Sequence, residues 1–167
     1  MGSAGHRASA KRAVACAVIT ASDTRTEETD RSGQTIRSLL DDAGHRVVAY
    51  AILPDDPARI RARVEAHARD AAVDAVLVNG GTGLAPRDTT YEAIDALLDK
   101  RLDGFGELFR MLSFQEIGAA AMLSRAVAGI AGDTVVVAMP GSTAAVELAM
   151  RRLVLPELGH LVGLVRG

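Results

Sequence analysis

Two aspartates and two short loops are the features of this chain whose residue types and spacing suit chemistry on a phosphate group. Gly80, Gly81 and Gly83 belong to the tetrapeptide G-G-T-G, which directly follows a short apolar run. Asp88 comes soon after this loop, and Asp55 follows an earlier apolar run. Exposed backbone N–H groups of such a loop can bind an anion, and two carboxylates facing a phosphate suit Mg²⁺. These residues favour phosphate-centred chemistry, in which positioning and a metal supply most of the catalysis.

The glycine tetrapeptide also has a purely structural explanation. Glycine adopts backbone conformations that a Cβ forbids, so residues 80–83 suit a tight turn without any ligand equally well. The spacing matches neither G-x-G-x-x-G nor G-x-x-x-x-G-K-[ST], which excludes the dinucleotide and P-loop motifs. The position of the loop after a buried strand favours a ligand, because open α/β sheets bind ligands at the carboxyl ends of their strands.

A second loop, Pro140-Gly141-Ser142, lies between a predicted strand and a predicted helix. Gly141 permits a close approach, Ser142 or Thr143 can cap the helix, and a helix N-terminus favours negative charge. An ordinary strand-to-helix connection explains the same residues. Structural explanations also exist for the two acids, since Asp55 can begin a turn and Asp88 can support a helix start.

The elements that must position these groups alternate between strands and helices. Apolar, β-branched runs predict buried strands at residues 13–20, 47–53, 75–78 and 134–138. Helical spacing predicts helices at residues 32–43, 58–71, 91–98, 143–154 and 156–165. Ser32 is a candidate N-cap, and T-x-x-E at residues 89–92 has the form of a capping box. Residues 102–121 contain three glycines and are predicted to form only short helices. The alternation predicts a doubly wound α/β domain with a largely parallel sheet.

Composition is that of an ordinary globular protein of 167 residues, with 49% apolar and 24% charged residues. We expect a flexible tail at residues 1–11 and one domain at residues 12–167. A net charge of −2 and an aromatic content of 3% argue against nucleic-acid binding. Cys16 is the one cysteine, no Cys/His spacing suggests zinc, and no apolar run reaches transmembrane length. The expected location is the cytoplasm, with no membrane partner.

Four motifs occur together in one order along nearly the whole chain. They are G-G-T-G-L-A-P-R-D-T-T, G-F-G-E-L-F-R-M-L-S-F, L-S-R-A-V-A-G and M-P-G-S, and S-D-T-R and D-R-S-G precede them. In this combination the chain resembles the MogA/MoaB family of molybdenum-cofactor biosynthesis proteins. The length of the segment that runs from the second motif to the third resembles that of the MoaB branch more than that of MogA. The resemblance implies a three-layer α/β sandwich with a central, mostly parallel sheet and helices on both faces.

The resemblance also implies an activity and a site. Characterised members adenylate molybdopterin with Mg-ATP and release pyrophosphate. By the same resemblance, Asp55 and Asp88 match the essential acids, which hold Mg²⁺ and orient the phosphates. The expected seat for the pterin phosphate is Gly80, Gly81, Thr82 and Gly83 together with Pro140, Gly141 and Ser142. Ser22, Glu107, Ser113 and Ser124 lie in family motifs and are expected to line the pocket.

Partners follow from the same resemblance. They are molybdopterin, ATP and further copies of the chain in a homotrimer or homohexamer, with other proteins of the cofactor pathway as a further possibility. Two other functions stay open. One is a protein that binds molybdopterin or an intermediate without adenylating it, and the other is an oligomeric interaction module. Retention of both acids argues against the interaction module.

Overall fold

Six strands form one mixed sheet in the computed structural model, which describes residues 13–167. They are β1 (Ala15–Ala21), β2 (Arg46–Leu53), β3 (Ala75–Asn79), β4 (Lys100–Arg101), β5 (Val127–Ala131) and β6 (Thr134–Met139). Their order in the sheet is β2-β1-β3-β6-β5-β4. The tail predicted at residues 1–11 lies outside the described residues.

The centre of the sheet is parallel and one edge is antiparallel. β1 pairs in parallel with β2 and β3, and β3 pairs in parallel with β6. β5 runs antiparallel to both β6 and β4. Every residue of β1, β3 and β6 is buried. Strands covered on both faces read as continuous apolar runs, which is why the sequence predicted these three.

Helices cover both faces of the sheet. They are α1 (Arg31–Asp42), α2 (Pro57–Ala68), α3 (Thr90–Asp95), α4 (Asp103–Ile117), α5 (Thr143–Ala149) and α6 (Leu155–Arg166). One core contains Ile36, Phe109 and Val146, from α1, α4 and α5. The other contains Ile60 and Ile94, from α2 and α3. The predicted three-layer sandwich is therefore confirmed. Among residues 13–167, no helix combines the length and apolar character that crossing a bilayer requires.

The prediction of short helices at residues 102–121 is wrong, because most of this segment is the single helix α4. Gly104 and Gly106 lie inside α4, and Gly118, with φ of +65°, ends it. A 3₁₀ helix, Gly118–Leu123, follows. Each internal glycine costs a helix roughly 1 kcal/mol. Burial of one face of α4 against the sheet outweighs that cost; its buried apolar residues are Phe105, Phe109 and Leu112.

Two strands of the antiparallel edge were not predicted. β4 has only two residues, both exposed, so it carries no apolar pattern. β5 contains three small residues among five (V-A-G-I-A) and joins β6 through Gly132 and Asp133. Gly132 has φ of +59°, as a tight hairpin turn requires.

Two predicted helix caps are also wrong. Asp30, not Ser32, caps α1, because its carboxylate accepts the N–H of Gly33 at 3.0 Å. Thr89 makes no capping hydrogen bond at the start of α3. The capping box fails because Glu92, its acidic member, forms an ion pair with Arg125.

Candidate functional site

The glycine loop leaves the carboxyl end of β3 in a conformation that needs glycine at two positions. Gly80 has φ of +94° and Gly81 has φ of +67°, both in the left-handed region. A Cβ on Gly80 would lie 2.3 Å from the carbonyl oxygen of Ala21, and one on Gly81 would lie 2.2 Å from Thr90 Oγ1. The structure therefore contains the tight turn, and the Ala21 backbone and the Thr90 side chain pack directly against it.

The second loop lies against the first, because β6 pairs with β3. The N–H of Gly80 donates to the carbonyl of Met139 at 3.1 Å. A Cβ on Gly141 would lie 2.9 Å from Gly80 Cα, so the two loops touch through their backbones. Ser142 caps α5, as predicted, by accepting the N–H of Ala145 at 3.2 Å. The structure thus brings the two loops, residues 80–83 and 140–142, together at the carboxyl ends of β3 and β6.

The side chains of the two aspartates lie against this glycine loop. Asp55 Oδ1 is 3.1 Å from the position that a Cβ of Gly81 would take, and Asp88 Oδ2 is 2.5 Å from the corresponding position on Gly83. Asp88 Oδ2 also accepts the N–H of Ala85 at 3.1 Å. Burial, and then the negative charge of Asp88, raises the pKa of Asp55 above its ordinary value. The two carboxylates therefore interact electrostatically across the loop.

The loop after β1 supports Asp55 from the other side. Asp23 Oδ1 accepts the backbone N–H of Asp55 at 3.0 Å, and Asp23 forms an ion pair with Arg87. Ser22 Oγ accepts the N–H groups of Thr24 at 3.2 Å and Arg25 at 3.1 Å. Ser22 therefore organises the turn that carries Asp23, and it directly follows Ala21, whose carbonyl packs against Gly80.

The other three predicted pocket residues lie farther along the chain, on or after α4. Glu107 is exposed and lines a cleft of about 130 Å³ that Tyr91 and Arg101 also line. Ser113 is buried in the core at 4% exposure, and Ser124 follows the 3₁₀ helix. Within residues 13–167, no hydrogen bond joins these three side chains to the glycine loop or to either aspartate. Their pocket-lining role stays a prediction.

Arg125 is a site residue that the sequence prediction missed. Its Nε donates to the carbonyl of Thr82 at 2.9 Å and its Nη2 to the carbonyl of Gly83 at 2.6 Å. Its guanidinium also pairs with Glu92 and lies over the Tyr91 ring, 4.7 Å from the centroid. Arg125 belongs to the L-S-R-A-V-A-G motif, but it contacts residues more than 40 positions away, so local pattern did not indicate its role.

This end of the sheet combines two glycine-containing loops with two acids, a set of groups that can bind an anion and a cation side by side. No group of three or more His, Cys, Asp or Glu side chains suited to a metal occurs in the part of the chain that the structure describes. Two neighbouring carboxylates can still hold Mg²⁺, because Mg²⁺ keeps several waters and needs few protein oxygens.

Comparison with known proteins identifies the family. A family model described as "Probable molybdopterin binding domain" matches residues 17–160. Molybdenum cofactor biosynthesis protein B of Bacillus cereus is 55% identical over 157 residues, which are 93% of each chain.

Solved structures agree with the sequence comparison. A crystal structure of molybdenum cofactor biosynthesis protein B has a TM-score of 0.91 and 54% identity, and the match covers 94% of this chain and 98% of that one. The tungsten cofactor synthesizing protein MoaB of Pyrococcus furiosus has a TM-score of 0.84 and 36% identity over 95% of this chain and 100% of that one. The chain therefore belongs to the MogA/MoaB family of molybdenum-cofactor biosynthesis proteins, and its role lies in that biosynthesis.

Proposed function

We propose that this protein adenylates molybdopterin. An oxygen of the terminal phosphate of the pterin attacks the α-phosphorus of ATP, the bond between the α-phosphorus and its bridging oxygen to the β-phosphate breaks, and pyrophosphate leaves. The observation that carries the proposal is that two glycine-containing loops and the Asp55 and Asp88 carboxylates lie close together at the carboxyl ends of the central strands. An anion seat next to two acids fits a reaction between two phosphate-bearing substrates.

The glycine loop is the proposed seat of the pterin phosphate. Arg125 binds the carbonyl oxygens of Thr82 and Gly83. In a trans peptide the C=O and the following N–H point in opposite directions. Fixing these two carbonyls on the Arg125 side therefore turns the N–H groups of Gly83 and Leu84 to the opposite side, where they can donate to an anion.

Asp55 and Asp88 are the proposed Mg²⁺ ligands. The raised pKa of Asp55 supports this fit, because two neighbouring carboxylates that repel each other gain stability from a cation. When bound, Mg²⁺ neutralises charge on the phosphates of ATP. The protein's own contribution is to hold both acids in place, through the Ala85 N–H on Asp88 and through Asp23 on the backbone of Asp55.

Self-association is part of the proposal. An apolar face formed by α4 and the 3₁₀ helix is exposed, with Phe114 at 61% and Met122 at 78%. Its other members are Leu108, Met111, Ile117 and Leu123. A contiguous apolar surface of this kind is typical of an interface, and the resemblance to an oligomeric family favours a second copy of this chain as its occupant.

The test is incubation of the purified protein with molybdopterin, ATP and Mg²⁺, with the pterin products separated and identified. We expect adenylated molybdopterin and pyrophosphate in equal amounts. Tight molybdopterin binding without ATP-dependent product would overturn the enzymatic proposal and select a binding function. Failure of the folded protein to bind molybdopterin at all would reject both and leave the interaction module.

A further inference from the structure

A buried polar cluster lies behind the second loop. Its centre is Asp30, which has no exposed surface. The Asp30 carboxylate accepts the Tyr50 hydroxyl at 2.6 Å, the Gly33 N–H at 3.0 Å and Arg25 Nη1 at 3.4 Å. These bonds hold Arg25 in one orientation, because a carboxylate and a guanidinium form directional, charge-assisted hydrogen bonds.

The cluster reaches the second loop at a single atom, the carbonyl oxygen of Gly141. Arg25 Nη2 donates to it at 3.1 Å and Ser32 Oγ donates at 2.6 Å. Ser32 Oγ also lies 3.4 Å from Thr143 Oγ1. Since Ser32 has one hydroxyl proton and uses it on Gly141, Thr143 is the donor in that second contact.

Two donors on one carbonyl fix the orientation of the whole peptide unit. The peptide bond is planar and trans, so the N–H of Ser142 points opposite to the Gly141 carbonyl. With that carbonyl held against α1 by Arg25 and Ser32, the Ser142 N–H faces away from α1. The cap on α5 does not use the Gly141 carbonyl, because the side chain of Ser142 accepts the capping hydrogen bond.

We propose that Arg25, held by Asp30, and Ser32 are positioning residues that orient the Gly141–Ser142 peptide so that its N–H meets the substrate phosphate. The proposal rests on the proposed function, in which this loop helps to seat the pterin phosphate. It assigns a role to the D-R-S-G and S-D-T-R motifs, whose contacts with the loop span more than 100 positions.

The test compares Ser32→Ala and Arg25→Lys with the control Thr35→Ala. The Thr35 hydroxyl donates within α1, to the carbonyl of Arg31 at 2.8 Å, and does not reach the second loop. The first measurement is the amide ¹H–¹⁵N resonance of Ser142 in the ligand-free protein. We expect it to shift in both variants, because the preceding carbonyl loses a donor, and to stay unchanged in Thr35→Ala.

The second measurement is the Kd for molybdopterin and for its dephosphorylated form. We expect each variant to bind molybdopterin about tenfold more weakly, the usual effect of one lost hydrogen bond, and to bind the dephosphorylated form as the wild type does. An unchanged Ser142 resonance in both variants, or equal weakening for both pterins, would overturn the proposal. Absence of molybdopterin binding by the wild type would reject the proposed function, and the Ser142 resonance would still decide the positioning role.

Discussion

Asp55 has a pKa above its ordinary value because burial, and then the charge of Asp88, opposes its ionisation. A carboxyl with a raised folded-state pKa binds its proton more tightly in the folded protein than in the unfolded chain. The free energy of unfolding therefore falls as the pH rises from the unfolded-state pKa through the folded-state pKa. At neutral pH the ionised Asp55 thus reduces stability, which is the expected cost of placing a proposed cation ligand next to a second carboxylate.

We predict that Asp55→Asn raises the thermal midpoint at pH 7 in the absence of divalent cations. The gain should disappear below about pH 3.8, where the carboxyl is protonated in both states. Added Mg²⁺ should stabilise the wild type and not the variant. Glu28→Gln, which alters an exposed loop carboxylate, is the control and should show neither effect. A lower midpoint for Asp55→Asn at pH 7 would contradict the account of this residue.

For individual residues, position in the sequence was enough to predict part of the candidate site but not all of it. The place of Asp55 and Asp88 in the site could be predicted, because each follows a strand or a glycine loop and the carboxyl ends of parallel strands lie on the same side of a sheet. That of Arg125 could not, since its long side chain reaches carbonyls more than 40 positions away, and the burial of Asp30 with Tyr50 depends on how α1 packs on the sheet. Ser32 was predicted as a helix cap, whereas its hydroxyl binds a carbonyl 109 positions away.

The helix α4 shows how tertiary burial decides an element that local pattern does not. Gly106 lies where α4 crosses the start of β5, and a Cβ there would lie 2.8 Å from the carbonyl of Ala126. A Cβ on Gly104 would have no atom within 4 Å. Gly106 therefore permits a close approach between α4 and β5, whereas Gly104 has no packing role. This difference could not be predicted from the sequence.

We predict opposite effects for the two alanine substitutions in α4. Gly104→Ala should raise the free energy of unfolding by roughly 0.5 kcal/mol, because alanine loses less backbone entropy in a helix. Gly106→Ala should lower it by about 1–3 kcal/mol, because the added methyl must displace backbone. Urea unfolding of both variants measures the difference. Equal effects of the two substitutions would show that α4 does not approach β5 as described.

For the whole molecule, the doubly wound α/β architecture followed from the sequence, because buried parallel strands and amphipathic helices alternate along the chain, and the family resemblance implied the three-layer sandwich. The antiparallel edge did not, since β4 is only two exposed residues and β5 is built largely from small ones. The exposed apolar face of α4 could not be predicted from the sequence either. Which side of a helix faces solvent depends on the strands on which it packs.

We predict that the wild type has the mass of three or six chains in solution and that Phe114→Glu reduces it to that of one chain. A charge in the middle of an apolar interface loses its hydration without gaining a partner. Ala62→Glu is the matched control, because it places the same charge on an exposed residue of α2, which packs on the other face of the sheet from α4. Light scattering after size-exclusion chromatography gives the masses. A monomeric wild type, or an unchanged mass for Phe114→Glu, would contradict the assignment of this face.

The central claim is transfer of AMP to the pterin phosphate with Asp88 as a required acid. The most direct measurement follows the label from ATP carrying ³²P at the α or at the γ position, with molybdopterin and Mg²⁺ present. We predict that α label appears on the pterin and γ label in pyrophosphate, and that Asp88→Asn lowers the rate on the order of 10²-fold while Glu28→Gln does not. Release of γ label as inorganic phosphate, or a full rate of α-label transfer by Asp88→Asn, would contradict it.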